Sequence, residues 1–132
     1  MSEKVNVCKA LGAMFRNHGD PNEAEVTFVP NAAMELGLTQ EETEEVTGVL
    51  KDGGEFAGFV KEIKSRPVRA FFFRRLVAAT LLDEKVEDDE LKVIHDTADE
   101  FGFDTGAVDE YLAWMKEGIE WEKRGADIMA KL

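Results

Sequence analysis

Residues 67 to 82 read PVRAFFFRRLVAATLL, from Pro67 to Leu82, the longest apolar run in the chain. Sixteen residues are too many for an ordinary strand. Wound as a helix, the run is apolar on most of its circumference, with charge only at Arg69, Arg74 and Arg75. A helix of that kind has to be covered by others. The expectation is an all-α, single-domain bundle of about seven helices, with 67–82 as its central buried helix. The run is too short and too rich in arginine to span a bilayer.

Outward from this run the pattern stays helical. Val5, Cys8, Leu11 and Phe15 recur at helical spacing and predict a first helix over about 4–17, stopped at Gly19. Asp20, Pro21 and Glu23 form a start signal for a second helix, which is expected to kink at Pro30 and close at Gly37. Thr39 and Glu42 make a capping box for a third helix, broken at Gly53-Gly54. A short fourth helix turns Phe56, Phe59, Val60 and Ile63 inward. Beyond 67–82, a sixth helix covers about 87–101 with Leu91, Ile94, Ala98 and Phe101 on one face. A seventh, capped at Asp104 or Thr105, carries Val108, Tyr111, Leu112, Met115 and Ile119. Gly118 and Gly125 weaken its continuation, so 120–132 is expected to bend or to form a separate short helix.

The chain has 132 residues and a formal net charge of -12. Its length suits one domain over 1–132, able to bury roughly two thirds of its unfolded surface. The negative charge argues against nucleic acid and against passive docking on anionic lipid. It fits cation attraction or a basic protein partner. Cys8 is the only cysteine, which excludes an internal disulfide and suits a reducing, cytoplasmic location. Its place on an apolar face predicts a buried, inert thiol. Lys4, Lys9 and Arg16 interrupt the N-terminal apolar residues, so no signal peptide is expected.

A shift of 65 residues lays 18–25 on 83–90, Ala33 on Ala98, Leu36-Gly37-Leu38 on Phe101-Gly102-Phe103, and Thr39 on Asp104. Each copy reads helix, tight acidic loop, helix ending in glycine, capped helix. The pseudo-repeats span about 5–50 and 67–117, followed by a tail at 118–132. Neither copy buries its apolar faces alone, so two packed copies sharing a core is the physical expectation.

In this pattern the chain resembles the TerB-like domains, helical modules of tellurite-resistance proteins that also stand at the front of some membrane-anchored DnaJ-like co-chaperones. The second copy carries the family's Asp83, Val86, Glu90 and Phe101-Gly102-Phe103, with Glu84 in place of a glycine. The first carries Gly19, Glu25 and Leu36-Gly37-Leu38, with His18 and Pro21 departing from the pattern. The resemblance covers roughly residues 5 to 117. It implies an all-helical bundle and a divalent-metal or partner-binding role in stress response, without catalysis.

The acidic segment Asp83–Glu90 is the candidate ion site. Oxygens of Asp83, Glu87, Asp88 and Glu90 are the set that would converge on Ca²⁺, Mg²⁺ or Mn²⁺, all hard cations that take oxygen ligands. Their plainer role is to accept amides and favour the positive end of a helix. An EF-hand is excluded by Lys85, Asp88 and Ile94 at positions that need other residues. His95 shares a helical strip with Asp88 and Asp99 and is a candidate fifth ligand. Its plainer role is a boundary histidine bonded to a nearby acid. Lys61–Arg75 holds six bases against Glu62, whereas Asp83–Glu110 holds twelve acids against Lys85 and Lys92. Internal pairing of the arginines is expected, since unpaired buried charge is costly. Phe71-Phe72-Phe73 reads as core, and Trp121 as an exposed anchor for another protein.

No nucleophile turn, phosphate-binding glycine loop or cysteine pair is present. The leading expectation is therefore a non-enzymatic interaction module, cation-sensitive at its acidic turns. It would act with a protein partner, at a membrane-associated complex without inserting in the membrane. The alternatives are an enzyme using a metal at Asp83–Glu90, or a structural unit that forms a homodimer through the C-terminal helix.

Overall fold

The computed structural model describes residues 2–17, 19, 21–81 and 88–132. Seven helices make up these residues, with no strand among them: α1 (Glu3–Asn17), α2 (Glu23–Glu35), α3 (Gln40–Asp52), α4 (Phe56–Lys61), α5 (Arg66–Thr80), α6 (Asp88–Phe101) and α7 (Thr105–Met129). The fold is all-α, as the apolar periodicity predicts. The helices fall into two compact units, Met1–Leu82 with α1 to α5 and Asp83–Leu132 with α6 and α7.

Within the first unit α1 is the most enclosed element. Every residue from Val5 to Phe15 is buried, and α1 meets α2, α3, α4 and α5. The run at 67–82 shares this core but is covered on one side: α5 buries Phe72, Phe73, Leu76, Val77, Ala79 and Thr80 and exposes Arg66, Pro67, Ala70 and Arg74. Gly12 sets the spacing between α1 and α3. A Cβ there would stand 3.3 Å from the backbone nitrogen of Leu50, so glycine lets the two helices come together. Lys9 is buried in this apolar helix and its ammonium reaches Glu45 of α3 at 2.6 Å. A buried ammonium needs such a partner.

Most helix starts follow the sequence signals. Thr39 and Glu42 form the expected capping box on α3. On α2 the cap is Asn22, not Asp20: Asn22 accepts from the Glu25 amide at 2.9 Å while Glu25 accepts from the Asn22 amide at 3.0 Å. Asparagine caps as well as aspartate, and only from Asn22 does Glu25 fall at the reciprocal position. Asp20 itself lies outside the described residues. The helix runs unbroken through Pro30. Ser65 at the start of α5 makes no side-chain cap. Glu3 of α1 does that work from a distance, accepting from the Ser65 amide at 2.6 Å and from the Lys64 amide. These backbone bonds hold the Glu3 carboxyl below its ordinary pKa.

The two glycine-closed helix ends are built alike. Gly37 (φ 72°) and Gly102 (φ 73°) take the left-handed conformation that an L side chain resists. The next amide then turns back onto a helix carbonyl, Leu38 onto Ala33 at 3.0 Å and Phe103 onto Ala98 at 2.9 Å. The following caps also match, Thr39 accepting from Glu42 and Asp104 from Ala107. A shift of 65 residues carries the starts of α2 and α3 onto those of α6 and α7.

In the second unit α6 packs on α7, burying Ile94, Thr97, Ala98 and Phe101 on one helix and Val108 and Leu112 on the other. The expected break in α7 does not occur. The helix is continuous through Gly118 and Gly125 for 25 residues. Two glycine penalties are small beside the hydrogen bonds of a long helix already nucleated on α6.

Candidate functional site

The candidate ion ligands meet different outcomes. Asp83 and Glu87 lie outside the described residues, as does His18. Asp88 and Glu90 occupy the first turn of α6, where their charge favours the positive end of the helix. Asp88 is exposed and Glu90 half-buried. Asp89 takes a capping part, accepting from the Glu90 amide at 3.0 Å. Among the described residues no three His, Cys, Asp or Glu side chains stand together as a metal would require.

His95 is held by two acceptors. Its Nδ1 lies 3.0 Å from the Leu91 carbonyl and its Nε2 lies 3.1 Å from Asp109 Oδ1 on α7. A carbonyl and a carboxylate both only accept, so both bonds are complete only when the ring is an imidazolium. The Asp109 hydrogen bond accordingly pushes the His95 pKa above its ordinary value, with help from the Leu91 carbonyl and against a desolvation cost. The strip shared with Asp88 and Asp99 is there, but the ring turns to Asp109, which the sequence pattern did not single out. The signal was available: His95 and Asp109 lie on two helices joined by a short glycine-closed turn.

The basic strip is partly answered within its unit. Arg75 pairs with Glu35 and lies 5.1 Å over the Phe71 ring. Arg69 donates to the Ile63 carbonyl at 2.8 Å. Cys8 is fully buried, and burial pushes its thiol pKa up to about 12, so it is no nucleophile. A groove between α2 and α3 is lined by Pro30, Met34, Leu38, Thr43 and Thr47, with Glu44 as its one titratable side chain. That set lacks an acid–base pair.

The surface that calls for explanation is on α7. Trp114 is 63% exposed, Trp121 70%, Ile128 55% and Met129 66%. Every residue from 120 to 132 is exposed, so the last half of this helix projects from its own unit. A shallow groove there is lined by Trp121, Arg124, Gly125 and Ile128, among others. Trp114, Trp121 and Ile128, seven residues apart, share one exposed face of the helix. The exposure of Trp121 was expected from sequence; the row was not, because it exists only if the helix continues past Gly118. No helix among the described residues is long and apolar enough to cross a membrane. The chain matches no known family model, no curated protein and no solved structure.

Proposed function

We propose that this chain is a non-enzymatic interaction module of TerB-like type, working in a cytoplasmic, stress-linked assembly, with α7 as its contact surface. One observation carries the reading: Trp114, Trp121, Ile128 and Met129 all stand largely exposed on α7, with Trp114 stacked on Tyr111 of the same helix. Buried aromatic anchors dominate binding energy at protein interfaces. The acidic start of α6 adds a cation-responsive element, with Asp83, Glu87, Asp88 and Glu90 as the oxygens that would draw a hard divalent ion. An enzyme built on those carboxylates with His95 is the weaker reading, because His95 would have to surrender its two acceptors to reach a metal.

Two measurements test this. Complexes purified with the full chain from its own cells should contain stoichiometric proteins that Trp121→Glu/Ile128→Glu loses. The same set retained by that variant would remove α7 as the contact surface. Calorimetric titration with Ca²⁺, Mg²⁺, Mn²⁺ and Zn²⁺ should give heat for at least one hard ion, lost in Asp83→Asn/Glu90→Gln. Silence for all four ions would remove the cation element and leave partner binding standing.

A further inference from the structure

The exposed row on α7 has a regular grammar. Along the helix, Tyr111, Trp114, Gly118, Trp121, Gly125 and Ile128 follow one another at alternating steps of three and four residues, Tyr111 half-buried and the other five exposed. That is the spacing of a heptad seam, with Trp114, Trp121 and Ile128 at one core position and Gly118 and Gly125, following Tyr111, at the other. The glycines have no purpose within the chain. A Cβ at Gly118 or Gly125 would meet nothing within 4 Å, and glycine inside a helix costs stability relative to alanine. A helix keeps such residues when another backbone has to come close.

We infer that α7 pairs antiparallel with α7 of a second copy of this chain, each tryptophan seated over a glycine of the partner. The inference rests on the reading of α7 as an interaction surface and names its occupant. In an antiparallel pair the two core positions face each other. With the dyad between residues 118 and 121, Trp121 lies opposite the second copy's Gly118, Trp114 opposite its Gly125, and Ile128 opposite its Tyr111. Large meets small in the inner layers. The groove on α7 includes Trp121, Arg124, Gly125 and Ile128, the four positions that would surround the Trp114 knob of the second copy.

Charge selects the same register independently. Within α7 the residues flanking one side of the seam are Glu110, Glu117 and Arg124. Antiparallel pairing about that dyad sets Glu117 beside Arg124 of the second copy, giving two opposite-charge pairs across the dyad. Among the described residues no ion pair within the chain engages these three side chains. The parallel alternative stacks tryptophan on tryptophan, leaves glycine facing glycine, and sets Glu117 beside Glu122. It is disfavoured by both packing and charge.

Light scattering and sedimentation of the full chain decide the matter. The wild type should show twice the 14.8 kDa chain mass at micromolar concentration. Trp121→Glu should be monomeric, with helical content and unfolding temperature like the diluted wild type. Arg124→Glu, which sets like charges together at both ends of the dyad, should raise the dissociation constant at least about tenfold. Glu117→Arg/Arg124→Glu should restore it, because the exchanged charges still meet their opposites. A monomeric wild type overturns the pairing, even if another protein binds through Trp121, an outcome that would spare the interaction reading. A dimer that the double exchange fails to rescue overturns the antiparallel register.

Discussion

Both ring nitrogens of His95 face acceptors, and that single fact sets its behaviour. Its folded pKa is raised, so the bond to Asp109 contributes stability fully below the unfolded value near 6.5 and loses it as pH rises through the folded pKa. Both groups are substantially exposed, so the contribution is about 0–1 kcal/mol. An NMR titration should place the His95 midpoint above 6.5 and show it falling in Asp109→Asn. A midpoint indifferent to that substitution would mean that Asp109 does not hold the ring. The sequence showed His95 to lie on the flank of an apolar face and allowed a neighbouring acid as its partner. It could not choose among Asp88, Asp99 and Asp109, since that depends on how α6 and α7 cross. Lys9 was less legible still: a lysine in a helix normally reads as solvent-facing, and its burial is met by Glu45 on another helix and the Phe59 ring.

At the scale of the element, the legible features were local ones. The capping box at Thr39, the glycine closures at Gly37 and Gly102 and the continuity of α2 follow from rules that act within one turn. Where two local signals compete, as Asp20 with Glu23 and Asn22 with Glu25 do, the capping pattern fits both, and the helix takes Asn22. Which helix lies most enclosed is not local. The run at 67–82 is more apolar than α1, yet α1 touches four neighbours because Gly12 admits α3 so closely. Gly12→Val should therefore cost about 1–3 kcal/mol, because the backbone of Leu50 cannot yield as a side chain would. Denaturant unfolding checks this, and an unchanged midpoint would contradict the tight crossing. Gly118→Leu should act in the opposite sense on the isolated subunit, raising helix stability by up to about 1 kcal/mol where space is open. The same substitution should weaken association, because it fills the seat of the partner's Trp121. A tightened pair would contradict that seat.

At the scale of the molecule, composition bounded the answer without naming it. A net charge of -12 and helical periodicity throughout pointed to an acidic α-helical protein, and the seven helices bear that out. The proposed contact surface was half visible, as Trp121 alone, because the expected weakening at Gly118 hid the row that a continuous α7 exposes. Pairing through that seam is the central claim, and a spin label tests it directly. Ala130 caps α7 at its far end. Labelled through Ala130→Cys, the full chain carries one reactive thiol, Cys8 being buried with its pKa pushed up to about 12. About ten residues separate position 130 from the dyad on each copy, so at roughly 1.5 Å per residue antiparallel pairing predicts labels about 30 Å or more apart. Labels nearer than about 20 Å, the result of parallel helices at ordinary interaxial spacing, or no dipolar coupling at all, would contradict it.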